Sequence, residues 1–144
     1  MTNKLEHFKE KVRDFVERRS YPRLSAACEV QLPIGVSMPN ERIDPEAEHY
    51  PLPIMGQTRD VSEDGMSVII PSVVLGDERV DVPGYPLRLV LSLPTGLLIV
   101  QAATVRAEPV RREDGTEAHV LGLSITKISP RDRNMYQEFL RSCV

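Results

Sequence analysis

Four leucines at every second position, Leu87, Leu89, Leu91 and Leu93, alternate with Arg88, Val90 and Ser92. Side chains of an extended strand point to alternate faces, so this spacing makes a strand with one wholly apolar face. Pro94-Thr95-Gly96 then reads as a hairpin turn into a second apolar run, residues 97–105. An isolated hairpin is marginal in water and needs more strands to cover its apolar face. The chain supplies them. Cys28, Val30, Leu32 and Ile34 alternate with Ala27, Glu29, Gln31 and Pro33; residues 52–60 form a weaker strand; Met66, Val68 and Ile70 alternate again; His119 to Ile125 form the last. A polar stretch with Pro39, Asn40, Asp44 and Pro45 marks a loop over about residues 37–50, and Arg112 to Gly115 mark another turn. Six short strands joined by turns predict a mainly β fold, an antiparallel barrel or sandwich.

Helical patterns flank the strands. Leu5, Phe8, Val12, Phe15 and Val16 recur at helical spacing among charged residues, which predicts an amphipathic helix over roughly residues 3–17 with Thr2 or Asn3 as cap. Pro22 stops it and biases Tyr21 toward extended backbone, so Arg18 to Arg23 form an extended or turning linker. At the other end Ser129 is an N-cap, Pro130 suits the first helical position and Asp132 favours the helix dipole. Met135, Tyr136, Phe139 and Leu140 make the buried stripe of that C-terminal helix. The organisation is an N-terminal helix over 1–17 and a single domain over 18–144, without repeats.

Charge narrows the function. The 144-residue chain carries a net charge of −3, yet residues 1–23 hold 7 Lys and Arg against 4 acidic residues, and the remainder is acidic by six charges. Binding a nucleic-acid polymer wants a broad basic face, which is lacking here. Stacking on single strands wants aromatic platforms, and this chain is 5% aromatic with no Trp. No run of apolar residues is long enough to insert in a membrane. The charged N-terminus is unlike a secretory signal. Cys28 and Cys143 lack metal spacing and read as two reduced thiols, which fits a cytoplasmic protein. His7, His49 and His119 are isolated, and no nucleophile elbow, HExxH or Gly-rich phosphate loop is present, so no catalysis and no cofactor are expected.

Two motifs stand out. ERRSYPRL, residues 17–24, places Arg18, Arg19 and Arg23 where the helical pattern stops. RDVSEDGMSV, residues 59–68, ends one strand, turns and starts the next. Within it Asp60 and Ser62 face the same way on an extended chain, and Gly65 permits tight-turn backbone. Each motif alone also fits a plain reading, a solvated linker and a structural turn. Together they suit a guanine nucleotide. Arginine forks match phosphate oxygens and the O6/N7 edge of guanine, and a carboxylate accepts from the N1–H and N2–H edge that adenine does not offer.

Arg19-x-x-x-Arg23 followed by Asp60-x-Ser62-x-x-Gly65 resembles the paired signature of the PilZ domain, a bacterial receptor module for cyclic di-GMP. Residues 122–140, GLSITKISPRDRNMYQEFL, resemble that family's last strand and C-terminal helix, so the resemblance covers about residues 18–141. It implies a six-stranded antiparallel PilZ-type β-barrel with the arginine segment crossing its outer surface over the ligand. It implies that Arg19 and Arg23 bind phosphates and guanine edges, that Asp60 and Ser62 bind guanine, and that Gly65 allows close backbone approach. Arg18 matches an extra arginine of members that take an intercalated nucleotide dimer, which implies two ligands per chain. Arg106, on the outward phase of the strand ending near Val105, falls where members place a stacking Trp or Arg; a solvated strand arginine is the plain alternative. The resemblance further implies a receptor that changes conformation on binding and signals to an unidentified partner protein in motility, exopolysaccharide or virulence control. The alternative is a PilZ-fold adaptor acting without nucleotide. Helix 1–17 and the proline-rich region 35–53 depart from the family pattern. Both fit either a partner-docking surface or ordinary packing.

Overall fold

The alternating apolar residues close into a barrel. In a computed structural model, which describes residues 27–39 and 52–143, the strands are β1 (Cys28–Glu29), β2 (Pro33–Ser37), β3 (Ile54–Ser62), β4 (Gly65–Ile70), β5 (Val74–Leu75), β6 (Glu78–Arg79), β7 (Pro86–Leu93), β8 (Gly96–Arg111) and β9 (Glu117–Ile128). Helix α1 (Pro130–Ser142) follows. The expected helix over 1–17 and most of the 37–50 loop lie outside the described residues. All pairings are antiparallel, in the order β3–β2–β7–β8–β9–β4, and β4 pairs back with β3 to close six strands. Closure removes every open edge from these six strands.

The leucine row behaves as its spacing demands. Leu87, Leu89 and Leu91 are fully buried and Leu93 nearly so, facing Val36, Val68, Leu98 and Leu121 in one core. Burial of each such side chain stabilises by roughly 1.5–3 kcal/mol. The end of the barrel beyond Ile70 is covered by residues 71–85, which sequence periodicity left without structure. They form the short β5–β6 hairpin and bury Val73, Leu75 and Val80. Helix α1 seals the opposite end through fully buried Tyr136. Its cap is as expected, with Ser129 Oγ accepting from the Asp132 N–H at 3.1 Å.

Three features differ from the sequence reading. First, the strand expected across Cys28–Ile34 is broken into β1 and β2. Glu29 pairs with Asp60 but Pro33 pairs with Gln57, so one extra residue lies between them. Buried Thr58 occupies the break: its backbone N–H donates to the Leu32 carbonyl at 3.0 Å, while its hydroxyl donates to the Val30 carbonyl and accepts from the Leu32 N–H at 2.9 Å. Second, β2 runs through Ser37, so the loop begins later than expected. Third, Cys28 and Cys143 are not free thiols. Although 115 residues apart in sequence, they form a disulfide with their Cα atoms 6.0 Å apart, because α1 folds back to end beside β1. Sequence spacing had no means of showing this.

Replacing Thr58 with Val would leave the Leu32 N–H and Val30 carbonyl buried without their partner. Such a loss costs about 1–3 kcal/mol. Thermal unfolding should show Thr58→Val well below the parent protein, with Thr58→Ser, which keeps the hydroxyl, close to it. Equal melting of all three would mean that the hydroxyl does not hold the break open.

Candidate functional site

The hairpin that carries Asp60, Ser62 and Gly65 is built around a second irregularity at the same place. Thr58 pairs with Val68 but Asp60 pairs with Ser67, so Arg59 has no partner on β4 and forms a bulge. A bulge re-aims the side chains after it. Here Thr58 points into the core, Arg59 and Asp60 both lie outside it, Val61 is fully buried and Ser62 is outward again. Asp60 and Ser62 therefore share a face, as the spacing predicts. Glu63 and Asp64 make a two-residue turn before Gly65.

A matching bulge occurs across the barrel wall. On β8 Thr104 pairs with Leu123 and Arg106 with Gly122, leaving Val105 as the extra residue. Thr104 and Val105 are both buried, and Arg106 becomes exposed. Strict alternation from Leu98, Val100 and Ala102 would have turned Arg106 inward. Cross-strand pairing then aligns Glu29, Asp60, Ser67, Gly122 and Arg106 in one row over β1, β3, β4, β9 and β8. The adjacent row is Ser62, Gly65, Ser124 and Ala103, all small. The result is a shallow floor with a carboxylate pair at one end and a guanidinium at the other.

Gly122 is essential to that floor. A Cβ there would stand 3.1 Å from Arg106 Cγ and 3.2 Å from its Nε, so the arginine lies across the glycine. Sequence reasoning passed over Gly122, whose only signal is a glycine inside a strand pattern. Gly65 has a different role from the one its sequence predicts. Its φ is not in the left-handed region, and a Cβ would lie only 2.2 Å from the Leu123 carbonyl oxygen. The close approach it allows is that of strand β9. The turn is further held by the Ile125 N–H, which donates to the Asp64 carbonyl at 2.8 Å. Tyr136 of α1 donates its hydroxyl to the Ser62 carbonyl at 2.5 Å, and Ser62 Oγ donates to the Gly65 carbonyl at 3.2 Å.

Asp60 is the electrostatic centre of this surface. Burial raises its pKa above 3.8; Arg59 pulls it down, Glu29 pushes it up and Arg106 pulls it down again. Its carboxylate also borders an open depression of about 350 Å³, lined by Glu29, Val30, Gln31 and Arg59. Burial likewise holds the Tyr136 phenol above its ordinary range, so it stays a hydrogen-bond donor throughout the physiological range. Of the residues singled out from sequence, the structure brings Asp60, Ser62, Gly65 and Arg106 onto this one surface. Arg18, Arg19 and Arg23 lie outside the described residues. Arg23 precedes Cys28 by five positions.

Known proteins share this framework. The PilZ domain of Escherichia coli YcgR, solved with c-di-GMP, superposes with a TM-score of 0.56 at 10% identity, over 84% of this chain and 90% of that one. MrkH of K. pneumonia in its apo state gives 0.61 at 11% identity, over 85% of this chain and 50% of that one. The Bacillus subtilis inhibitor of motility MotI gives 0.53 at 19% identity, over 84% of this chain and 48% of that one. The chain thus spans about half the length of MotI and of MrkH. Among curated proteins none matches closely enough to compare. These likenesses concern the fold; a family model for the PilZ domain matches residues 17–142, nearly the whole chain, and the chain belongs to the PilZ domain family.

Proposed function

We propose that this protein is a cyclic di-GMP receptor that changes conformation on binding and passes the signal to a partner protein. The observation that carries this reading is the outward row from Asp60 to Arg106, beside the strand into which the arginine segment leads. Asp60 supplies an acceptor for the N1–H and N2–H edge of guanine. Ser62 adds a short-range hydroxyl, and the small residues around it leave room for a flat base. Arg106, lying over Gly122, offers a planar cation on which a second base can stack. Arg19 and Arg23, with Arg18, supply forks for the phosphates and for the guanine O6/N7 edge. The extra arginine, Arg18, favours an intercalated pair of nucleotides over a single molecule, as the family resemblance implies. PilZ proteins are generally binding modules. No helix among the described residues is long and apolar enough to cross a membrane.

Calorimetric titration with cyclic di-GMP, with GTP and single-stranded RNA as controls, tests the reading. Saturable binding of cyclic di-GMP alone supports it, and the ligand-to-protein ratio at the equivalence point reports the number of ligands per chain. Absence of binding would favour the adaptor that works without nucleotide. A conformational response should appear as slowed amide exchange over residues 15–25 and 60–67 on ligand addition.

Arg19→Ala and Arg23→Ala should each abolish tight binding in a protein that still melts cooperatively. Each charge-assisted hydrogen bond contributes about 1.5–3 kcal/mol, so losing several weakens binding at least ~100-fold. Full affinity in both variants would move the phosphate site elsewhere. Asp60→Asn should lower the preference for cyclic di-GMP over cyclic di-AMP more than Ser62→Ala does, measured as the ratio of the two affinities. An unchanged ratio would remove Asp60 from guanine reading.

The Asp60 shift sets a pH dependence. Its folded pKa is raised, so the neutral acid persists to a higher pH than in an ordinary aspartate. The guanine edge needs the ionised form as acceptor. Affinity should therefore fall on acidification, starting above the normal aspartate range, and that fall should be absent in Asp60→Asn. A flat profile in the parent protein would show that the ionisation of Asp60 is not linked to ligand binding.

A further inference from the structure

The disulfide joins the pieces that the candidate site needs held together. Among the described residues, strand β1 pairs with β3 through Cys28 with Val61 and Glu29 with Asp60, and just beyond it the Val30 N–H donates to the Arg59 carbonyl at 3.2 Å. Cys143 caps α1, its N–H donating to the Leu140 carbonyl at 3.1 Å. The same helix sends Tyr136 to the Ser62 carbonyl, and more weakly to that of Gly65 at 3.5 Å. One covalent bond thus links the strand opposite Asp60 to the helix that clamps the Ser62–Gly65 turn. Neither cysteine is fully buried.

We propose that Cys28 and Cys143 form a thiol–disulfide exchange site that sets the affinity of the ligand surface. The proposal rests on the receptor reading and adds its regulation. In the reduced protein, β1 is held by its backbone pairing to β3 and by the Thr58 clamp at Val30 and Leu32. Glu29 and Asp60, two carboxylates placed opposite each other, favour separation of β1 from β3 once the bond is gone. In the oxidised protein the bond opposes that separation.

The exchange balances with a low-molecular-weight disulfide such as oxidised glutathione. One cysteine thiolate attacks the small disulfide, forming a mixed disulfide and expelling one small thiolate. The second cysteine thiolate then attacks the protein sulfur of that mixed disulfide and expels the other. Two electrons pass to the reagent, which leaves as two thiols carrying the two protons. Excess small dithiol reverses the sequence.

The experiment uses the full chain, oxidised with oxidised glutathione or reduced with dithiothreitol, and each state verified by mass after alkylation. Both states are titrated with cyclic di-GMP. If β1 is docked about one-tenth of the time after reduction, the reduced form binds about tenfold more weakly. Cys143→Ser should bind like the reduced parent in either condition. Equal affinity in the two verified states overturns the proposal, as does a Cys143→Ser variant that still responds to oxidant. Loss of the barrel's circular dichroism on reduction would make the bond a structural staple and overturn the switch too. If neither state binds cyclic di-GMP, the receptor reading fails on its own account. Amide exchange at residues 28–30 and 60–67 then decides the latch, and equal rates in the two states refute it.

Discussion

The buried hydroxyl of Thr58 sits where β3 changes register against both of its neighbours at once. On one side it bridges Val30 and Leu32 across the break between β1 and β2. On the other, the residue after it has no partner on β4. Two register shifts in a closed sheet would ordinarily strand backbone groups in the core. One threonine supplies both the acceptor and the donor that the break requires, and among the described residues no buried side-chain nitrogen or oxygen lacks a partner. The direction of Asp60, Val61 and Ser62 follows from that shift, as does the placement of Glu29 opposite Asp60.

What results is a surface with almost no relief and strongly patterned charge. The small residues Ser62, Gly65, Ser124 and Ala103 keep it flat, and Gly122 lets Arg106 lie down on it. Around Asp60, burial and Glu29 oppose ionisation while Arg59 and Arg106 favour it. A carboxylate in that balance is responsive to a ligand that offers N–H donors. Pockets enclosed by apolar walls recognise ligands by shape; under the receptor reading proposed above, this face recognises its ligand by hydrogen bonding and stacking.

Much of the barrel was legible in the sequence because one side of each strand is buried and the other is wet. Leu87 to Leu93, Met66 to Ile70 and the capped C-terminal helix all follow from that simple alternation. The pairing of Asp60 with Ser62 was legible for the same reason. The β5–β6 hairpin was not, because its strands are two residues long and show no period. Gly65 was legible as a required glycine but not for its true cause, since a missing Cβ looks the same in sequence whether it frees a backbone angle or makes room for the neighbouring strand.

Local patterning by itself determined the strand-forming segments, the C-terminal cap and the two motifs that a guanine nucleotide suits. Tertiary structure decided how those parts meet. It put Arg106 outward through the bulge at Val105, against the strict alternation of its strand. It laid Gly122 beneath that arginine, and it joined Cys28 to Cys143 across 115 residues. The physical reason is common to all three. Alternation is a property of neighbours along the chain, whereas register shifts, cross-strand neighbours and disulfide partners are properties of neighbours in space, and those exist only once the barrel has closed.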